Sequence, residues 1–138
     1  RNSHCPVLLQ YAPGEQTLLA APASPVGVYA MTRPEITEVP LESGVLAVVY
    51  TDGVLSAGAR RSEPLDVLAL VNRLYLEHFG APDGARAIAD GILAEVLRLD
   101  DDRPVDDTSV LVVAVVGDEI PDVRRLQLDI PIPPLLRP

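Results

Sequence analysis

The sequence is poor in cysteine, in basic residues and in long apolar runs, and each shortage excludes a class of protein. A single cysteine, Cys5, cannot form an internal disulfide or a thiolate metal site, which favours a reducing, cytoplasmic location. No apolar run approaches the ~18 residues of a membrane span. The 11 basic residues are all arginine and the net charge is -9, so nucleic acid is an unfavourable partner. What remains is one acidic domain of 138 residues, 48% of them hydrophobic.

Short apolar runs bounded by turn residues predict a series of strands. The run that ends at Tyr50 is apolar without interruption, which predicts a central strand covered on both faces. Pro40 interrupts a weaker alternating run, which is typical of an edge strand. The predicted strands are a hairpin of Val7 to Tyr11 and Gln16 to Ala20, the edge strand Ile36 to Leu41, the central strand Val45 to Tyr50, the strand Ser109 to Val116, and one further candidate, Arg124 to Ile130.

Two helices are predicted between the central strand and the strand that starts at Ser109. Ser62 is the predicted N-cap of the first, which stops at Gly80. Asp83 is the predicted N-cap of the second, whose apolar residues recur at spacings of three and four until the acidic run Asp100 to Asp102, interpreted as a solvated helix end. Strands, two helices and another strand indicate an α+β domain in which helices cover a largely antiparallel sheet.

Carboxylates stand at the ends of two predicted strands. Asp52 follows the central strand, and Asp106 and Asp107 precede the strand from Ser109. If these strands are antiparallel neighbours, the carboxylates meet at one edge of the sheet, where their repulsion favours a bound cation or a proton. Oxygen ligands favour Mg²⁺, Mn²⁺ or Ca²⁺ over zinc. Gly53 would let the backbone turn sharply there and approach the ion closely.

A purely structural interpretation of these residues stays open at this point. Asp-Gly after a strand is a common turn, and residues 106–109 could form a polar loop that satisfies its own amides. His4 and His78 lack partners at ligand spacing, and His78 is expected to cap helix carbonyls. Cys5 is expected to pack rather than to act as a nucleophile.

Several segments resemble a known family when they are taken together. VLAVVYTDGVLSAG is similar to "LLLYTDGVTEA", VDDTSVLVVAV to "DDMTLLVV", RNSHCPVLLQ to "NAGHPPPLLL", and SPVGVY followed by LESGVLAVVYTDG to "PLGLF" followed by "LEPGDLLLLYTDG". These are segments of the metal-dependent serine/threonine phosphatases of the type 2C (PPM) class, in the branch of the bacterial sporulation stage II protein E phosphatases. The resemblance covers the chain from Arg1 to Val116, in the same order and with two helices between the acidic segments.

The resemblance implies a layered α/β/β/α sandwich of two largely antiparallel sheets flanked by helices. Residues 1–117 would form its C-terminal portion, and residues 118–138 an extension with one possible strand and a proline-rich end. The implied reaction is hydrolysis of phosphoserine or phosphothreonine on a bacterial signalling protein by a water activated by two Mg²⁺ or Mn²⁺ ions. In this family the usual substrates include phosphorylated anti-sigma-factor antagonists. Matched by motif, Asp52 and Asp106 are metal ligands, with Gly53 and Asp107 in supporting positions.

The sequence also departs from the family pattern. An Asp-x-x-Gly-x-Gly segment that supplies the bridging metal ligand is expected before the His4 region and is absent from this sequence, so the chain is expected to hold only part of the metal site. Ser3 replaces a family glycine, and Leu55-Ser56-Ala57 replaces Thr-Glu-Ala. The alternative function is therefore a catalytically inactive phosphatase-like domain that regulates or binds a partner. A haloacid-dehalogenase-like phosphatase would need Asp-x-Asp-Gly, and Tyr50 occupies the position of its nucleophile.

Overall fold

The computed structural model describes residues 5–20, 36–40, 42–104 and 106–117, and these contain a four-stranded antiparallel sheet. Its strands are β1 (Val7–Ala12), β2 (Glu15–Leu19), β3 (Leu46–Tyr50) and β4 (Val110–Ala114). They are ordered β2-β1-β3-β4, and every neighbouring pair is antiparallel. The predicted hairpin, the central strand and its pairing with the last described strand are confirmed.

Four helical segments of the described residues lie between β3 and β4 in the sequence. They are α1 (Asp52–Ser56), a 3-10 turn (Ala59–Arg61), α2 (Val67–His78) and α3 (Gly84–Leu99). The two long helices contact each other, α2 contacts β1 and α3 contacts β4, so they form a layer on one face of the sheet. The core lies between the layers, and its fully buried side chains include Leu8, Leu46, Val48, Val71, Ile88, Ile92 and Val96. The predicted α+β class is confirmed.

The first residue of α2 differs from its prediction, whereas the end of α2 and the start of α3 agree with theirs. The N-cap is Asp66 and not Ser62, because the Asp66 carboxylate accepts a hydrogen bond of 3.0 Å from the amide of Ala69. Ser62 instead closes the 3-10 turn in a left-handed conformation, with φ of 56°. Gly80, with φ of 86°, follows the end of α2, and Asp83 is the N-cap residue of α3, as the sequence predicts.

The uninterrupted apolar pattern of β3 and β4 predicts cover on both faces, but the described helices cover only one. Side chains of β3 alternate between buried and half-buried, with Val49 half-buried. On the same face of β4, Leu111 is 54% exposed and Val113 is 50% exposed. A second sheet, as the layered sandwich implies, is not among the described residues.

The predicted edge strand Ile36 to Leu41 is wrong for residues 36–40, which the structure describes as irregular with Ile36 exposed. Pro40 removes an amide donor from any ladder there. The candidate strand Arg124 to Ile130, the extension 118–138 and the positions of Ser3, His4 and SPVGVY lie outside the described residues. Among the helices of the described ranges, none has the length and apolarity that crossing a bilayer requires.

Candidate functional site

Asp52 and Asp106 belong to two chain segments that meet at one rim of the sheet. Tyr50, the last residue of β3, pairs with Val110, the first residue of β4. Because these strands are antiparallel, the chain leaves β3 where it enters β4. Asp52 follows Tyr50 as the first residue of α1, and Asp106 lies in the loop that precedes β4. The sequence-based expectation that these two segments converge is thus met by the topology.

Thr51 joins the two segments through three hydrogen bonds. Its amide donates to the Ser109 carbonyl (3.1 Å), and its hydroxyl donates to the Asp107 carbonyl (2.8 Å). The same hydroxyl accepts from the Ser109 amide at 2.9 Å. The Thr51 hydroxyl therefore holds the two segments together both as a donor and as an acceptor. Sequence reasoning missed it, although the threonine of the Thr-Asp-Gly motif was the available signal.

Gly53 brings α1 against the loop that precedes β4. A Cβ atom at this position would lie 2.6 Å from the Asp107 carbonyl oxygen, 2.8 Å from Thr108 Oγ1 and 3.0 Å from the Asp106 carbonyl oxygen. Gly53 is buried inside α1 and makes no sharp turn, so that part of the prediction is wrong. The residue must be glycine because of close packing against the neighbouring main chain.

The carboxylates of the rim are exposed and keep free oxygen atoms. Asp52, Asp106 and Asp107 are all exposed to solvent. One oxygen of Asp106, Oδ1, accepts a hydrogen bond of 2.8 Å from the Asp107 amide, and the Thr108 hydroxyl donates to the Asp106 carbonyl at 3.2 Å. Asp107 thus orients Asp106 through its backbone, which leaves Asp106 Oδ2 available to a ligand.

The two exposed aspartates, Asp52 and Asp106, have the donor chemistry that a hard divalent cation prefers. Mg²⁺ commonly takes one or two protein carboxylates and completes its octahedron with water and phosphate oxygens, which suits exposed aspartates on a fixed rim. Within residues 5–20, 36–40, 42–104 and 106–117, no group of three or more His, Cys, Asp or Glu side chains could hold a metal ion. The described rim therefore fits such an ion in the chemistry of its donors but provides an incomplete set of them.

A cavity of about 570 Å³ opens beside Asp106. Its polar side is formed by the loop that carries Asp106, and its apolar side by the C-terminal half of α3. The lining residues are Leu93, Val96, Leu97, Pro104, Asp106, Asp107 and Thr108. This groove could hold an extended segment next to the carboxylates.

Asp100 was predicted as part of a solvated helix end, and the structure contradicts this for one of the three aspartates. Asp100 is only 7% exposed, and its Oδ1 accepts a hydrogen bond of 3.0 Å from the amide of Gly58. Its Oδ2 is buried and has no hydrogen-bond partner among the described residues. The next two residues, Asp101 and Asp102, are exposed as predicted. Asp100 therefore links the end of α3 to the turn after α1.

The remaining candidates take no part in the rim. Cys5 packs against the hydrophobic core, in agreement with its structural interpretation. His78 lies in the last turn of α2 as predicted, with Nε2 3.7 Å from the carboxylate of Glu77. At the end of β3, burial raises the pKa of the Tyr50 hydroxyl above its usual value, with a smaller contribution from Cys5.

Comparison with known proteins assigns the chain to a family. Residues 2–116 match the family described as stage II sporulation protein E, SpoIIE. Comparison with curated sequences found no significant match.

Solved structures with a similar fold come from Bacillus subtilis. One contains the PP2C phosphatase domain and a fragment of the regulatory domain of the cell fate determinant SpoIIE, with a TM-score of 0.62 and 18% identity over 85% of this chain and 33% of that chain. The phosphatase domain of the same protein, presoaked with manganese, gives a TM-score of 0.57 at 18% identity, over 85% of this chain and 49% of that chain. A further structure of the phosphatase domain gives 0.53 at 18% identity, over 86% and 51%. The chain thus spans between a third and about half of the solved chains that it matches.

The antiparallel sheet with its helical layer has the fold of part of a PP2C-type phosphatase domain. The family match over residues 2–116 identifies a particular branch of this class. The chain belongs to the stage II sporulation protein E family. The resemblance seen in the sequence is therefore confirmed, both for the class and for the branch.

Proposed function

We propose that the chain contributes to a metal-dependent protein phosphatase that hydrolyses phosphoserine or phosphothreonine. The observation that carries the proposal is the meeting of the Asp52 and Asp106 segments at one rim, held together by Thr51. Membership of the SpoIIE family and the fold of a PP2C phosphatase domain support it.

In this proposal each rim residue has a separate task. Asp52 and Asp106 bind Mg²⁺ or Mn²⁺ together with ligands from elsewhere in the protein, while the Asp107 amide orients Asp106 and Thr51 keeps the two segments in register. The bound cations would supply charge neutralisation on the phosphoryl oxygens and a lowered pKa of the attacking water. Gly53 allows the approach of α1 to the loop.

The proposed substrate is a phosphorylated protein of a bacterial signalling system, with a phosphorylated anti-sigma-factor antagonist as the specific candidate. The cavity beside Asp106 has a volume of about 570 Å³, and its apolar wall on α3 could contact side chains next to the phosphorylated residue. The apolar wall beside the carboxylates therefore supports a protein substrate over a small phosphate ester.

The direct test is manganese-dependent hydrolysis of p-nitrophenyl phosphate by the full-length protein that carries this chain. Asp52→Asn and Asp106→Asn should each lower kcat/KM by about 100-fold or more and weaken manganese binding measured by calorimetry, because each removes a charged ligand. Asp90→Asn is the matched control, since Asp90 is an exposed aspartate on α3 that pairs with Arg86.

Activity that survives both rim substitutions, or that needs no divalent cation, would refute the assignment. A full-length protein that is inactive with manganese and still binds a protein partner would instead identify the inactive regulatory module.

A further inference from the structure

A second cavity, of about 350 Å³, lies where the turn after α1 meets the end of α3. It is lined by Arg60, Arg61, Leu99, Asp100, Asp101 and Arg103. Three guanidinium groups and two carboxylates line it, so its local charge is positive in a chain with a net charge of -9. We call it the arginine cavity.

Two of its arginines lack the carboxylate partner that the other arginines of the described ranges have. Neither Arg60 nor Arg103 forms an ion pair within the described residues. Arg60 donates only to the carbonyl oxygen of Arg103, at 3.4 Å. The arginines that do pair with carboxylates are Arg61 with Asp101, Arg73 with Glu77, Arg86 with Asp90, and Arg98 with Glu63 and Glu95.

The carboxylates of the cavity do not neutralise these two arginines fully. Asp101 pairs with Arg61, and both side chains are exposed. Asp100 is buried; its Oδ1 accepts a hydrogen bond from the Gly58 amide, and its Oδ2 has no partner in the part of the chain that the structure describes. One carboxylate is thus left to balance two guanidinium groups, and each of these presents several unused donors in the fork geometry that fits carboxylates.

Two chain segments connect the arginine cavity to the proposed active rim. Arg60 lies in the 3-10 turn that follows α1, the helix that begins with Asp52. Arg103 lies in the connection between α3 and β4, which also carries Asp106. The hydrogen bond from Arg60 to the Arg103 carbonyl joins these two segments again, on the side of Asp100. Arg103 lies three residues before Asp106, so their Cα atoms are at most about 11 Å apart, a distance that an extended substrate segment of about four residues can span.

From this arrangement we infer that the arginine cavity binds acidic side chains of the protein substrate, at positions near its phosphorylated residue. The inference rests on the proposed function for the identity of the partner, but the binding itself needs no catalysis. The net charge of -9 disfavours an acidic partner at long range, but two arginines without carboxylate partners among the described residues offer a local exception where carboxylates can bind.

The test is binding of a fluorescent peptide that carries several Asp and Glu residues beside a phosphoserine. Fluorescence anisotropy with the full-length protein in EDTA measures binding without any contribution from divalent cations. Arg60→Gln together with Arg103→Gln should raise Kd about tenfold, because two charge-assisted contacts are lost. The matched control is Arg73→Gln together with Arg86→Gln, which removes the same charge from exposed ion pairs on α2 and α3 and should leave Kd nearly unchanged.

A second pair of substitutions and a second anion distinguish peptide binding from loss of folding and from a site for small anions. The double variant Arg60→Lys with Arg103→Lys keeps the positive charge, so it should bind the peptide more tightly than the double glutamine variant. If the glutamine variant had lost affinity through unfolding, the lysine variant would be expected to lose just as much. Equal Kd values for the two glutamine variants would overturn the inference. So would arginine-dependent binding of inorganic phosphate without binding of the peptide, which would identify a site for small anions.

The outcome is independent of the phosphatase test. If p-nitrophenyl phosphate is hydrolysed with manganese while peptide binding ignores both arginines, the inference fails and the proposed function stands. If the peptide binds through the arginines and no hydrolysis occurs, the acidic-segment site stands and the phosphatase proposal fails.

Discussion

Gly53 illustrates at the scale of one residue how closely the two acidic segments approach. An added Cβ would meet two carbonyl oxygens of the Asp106–Asp107 main chain, at 3.0 and 2.6 Å. Main-chain atoms cannot move aside as a flexible side chain can. The hydrogen bonds of Thr51 to Asp107 and Ser109 further limit any movement of this loop.

Gly53→Ala is therefore expected to lower the free energy of unfolding by about 1–3 kcal/mol, as overpacking of a tight site does. It should also lower manganese-dependent activity of the full-length protein, because the displaced loop carries Asp106. Gly91→Ala is the matched control in α3: its Cβ would meet the end of the Leu74 side chain at 2.7 Å, and alanine gains about 1 kcal/mol of helix propensity. Urea unfolding of both variants measures the difference, and equal costs would contradict the packing explanation.

The positions of the carboxylates were predictable from the sequence, whereas the contacts that hold them were not. Asp52 and Asp106 stand at the ends of apolar runs, and antiparallel pairing of those runs was enough to bring their segments together. Thr51 finds its partners 56 and 58 positions away along the chain, and Asp100 finds Gly58 at a distance of 42 positions. No local pattern encodes such pairs, since they depend on how α1, α3 and β4 pack.

At the scale of elements, the periodic helices were predictable and their first residues only partly so. The apolar spacing from Asp83 onward gave α3 with its N-cap residue, and Gly80 marked the end of α2. Ser62 and Asp66 are both acceptable N-cap types, and sequence preference does not separate them. The fold selects Asp66, because the residues after the 3-10 turn still bond to the chain before it: the Glu63 amide donates to the Gly58 carbonyl at 3.1 Å and the Leu65 amide to the Ala57 carbonyl at 3.2 Å.

A pair of alanine substitutions distinguishes the two caps. Asp66→Ala removes the acceptor of the Ala69 amide and is expected to lower the free energy of unfolding by about 1 kcal/mol. Ser62→Ala lies outside α2 and should change it by less than about 0.5 kcal/mol. Denaturation followed by circular dichroism measures both, and a larger loss at position 62 would mean that α2 starts earlier in solution.

The four-stranded sheet carries apolar side chains on both of its faces. One face is buried under α2 and α3, and the other presents Val49, Leu111 and Val113. Apolarity on both faces could be seen in the sequence, and it matches the layered sandwich of two sheets that the type 2C resemblance implies. Which segments would cover the second face could not be predicted, because sheet-on-sheet packing joins residues without a local periodic signal.

Buried tyrosines predict how the stability of the chain depends on pH. Burial raises the pKa of both Tyr50 and Tyr75, and the Tyr75 hydroxyl also donates to the Gly44 carbonyl at 3.0 Å. The neutral phenol is therefore favoured by folding, so this contribution is complete below the unfolded pKa of about 10 and is lost as the pH rises through the higher folded value. The sequence has no lysine, so few other groups titrate in this range.

The urea midpoint is accordingly expected to fall at alkaline pH, beginning above about pH 10. Tyr50→Phe should reduce the slope of this decline, since phenylalanine has no proton to lose, and Tyr75→Phe should remove a further part. Measuring the midpoint at a series of pH values for the three proteins checks this. A decline with the same slope in all of them would assign the effect to other groups.

The Thr51 hydroxyl donates to one residue of the opposite segment and accepts from another, so it couples the two acidic segments mechanically. A change there alters both acidic segments at once, so it cannot tune one without the other. The wall of the groove on α3 makes no such contact with Thr51, and its side chains can vary while the acidic pair stays in place. Substitutions in this wall are therefore expected to leave the Thr51 hydrogen bonds intact, whereas a substitution of Thr51 removes them from both segments together.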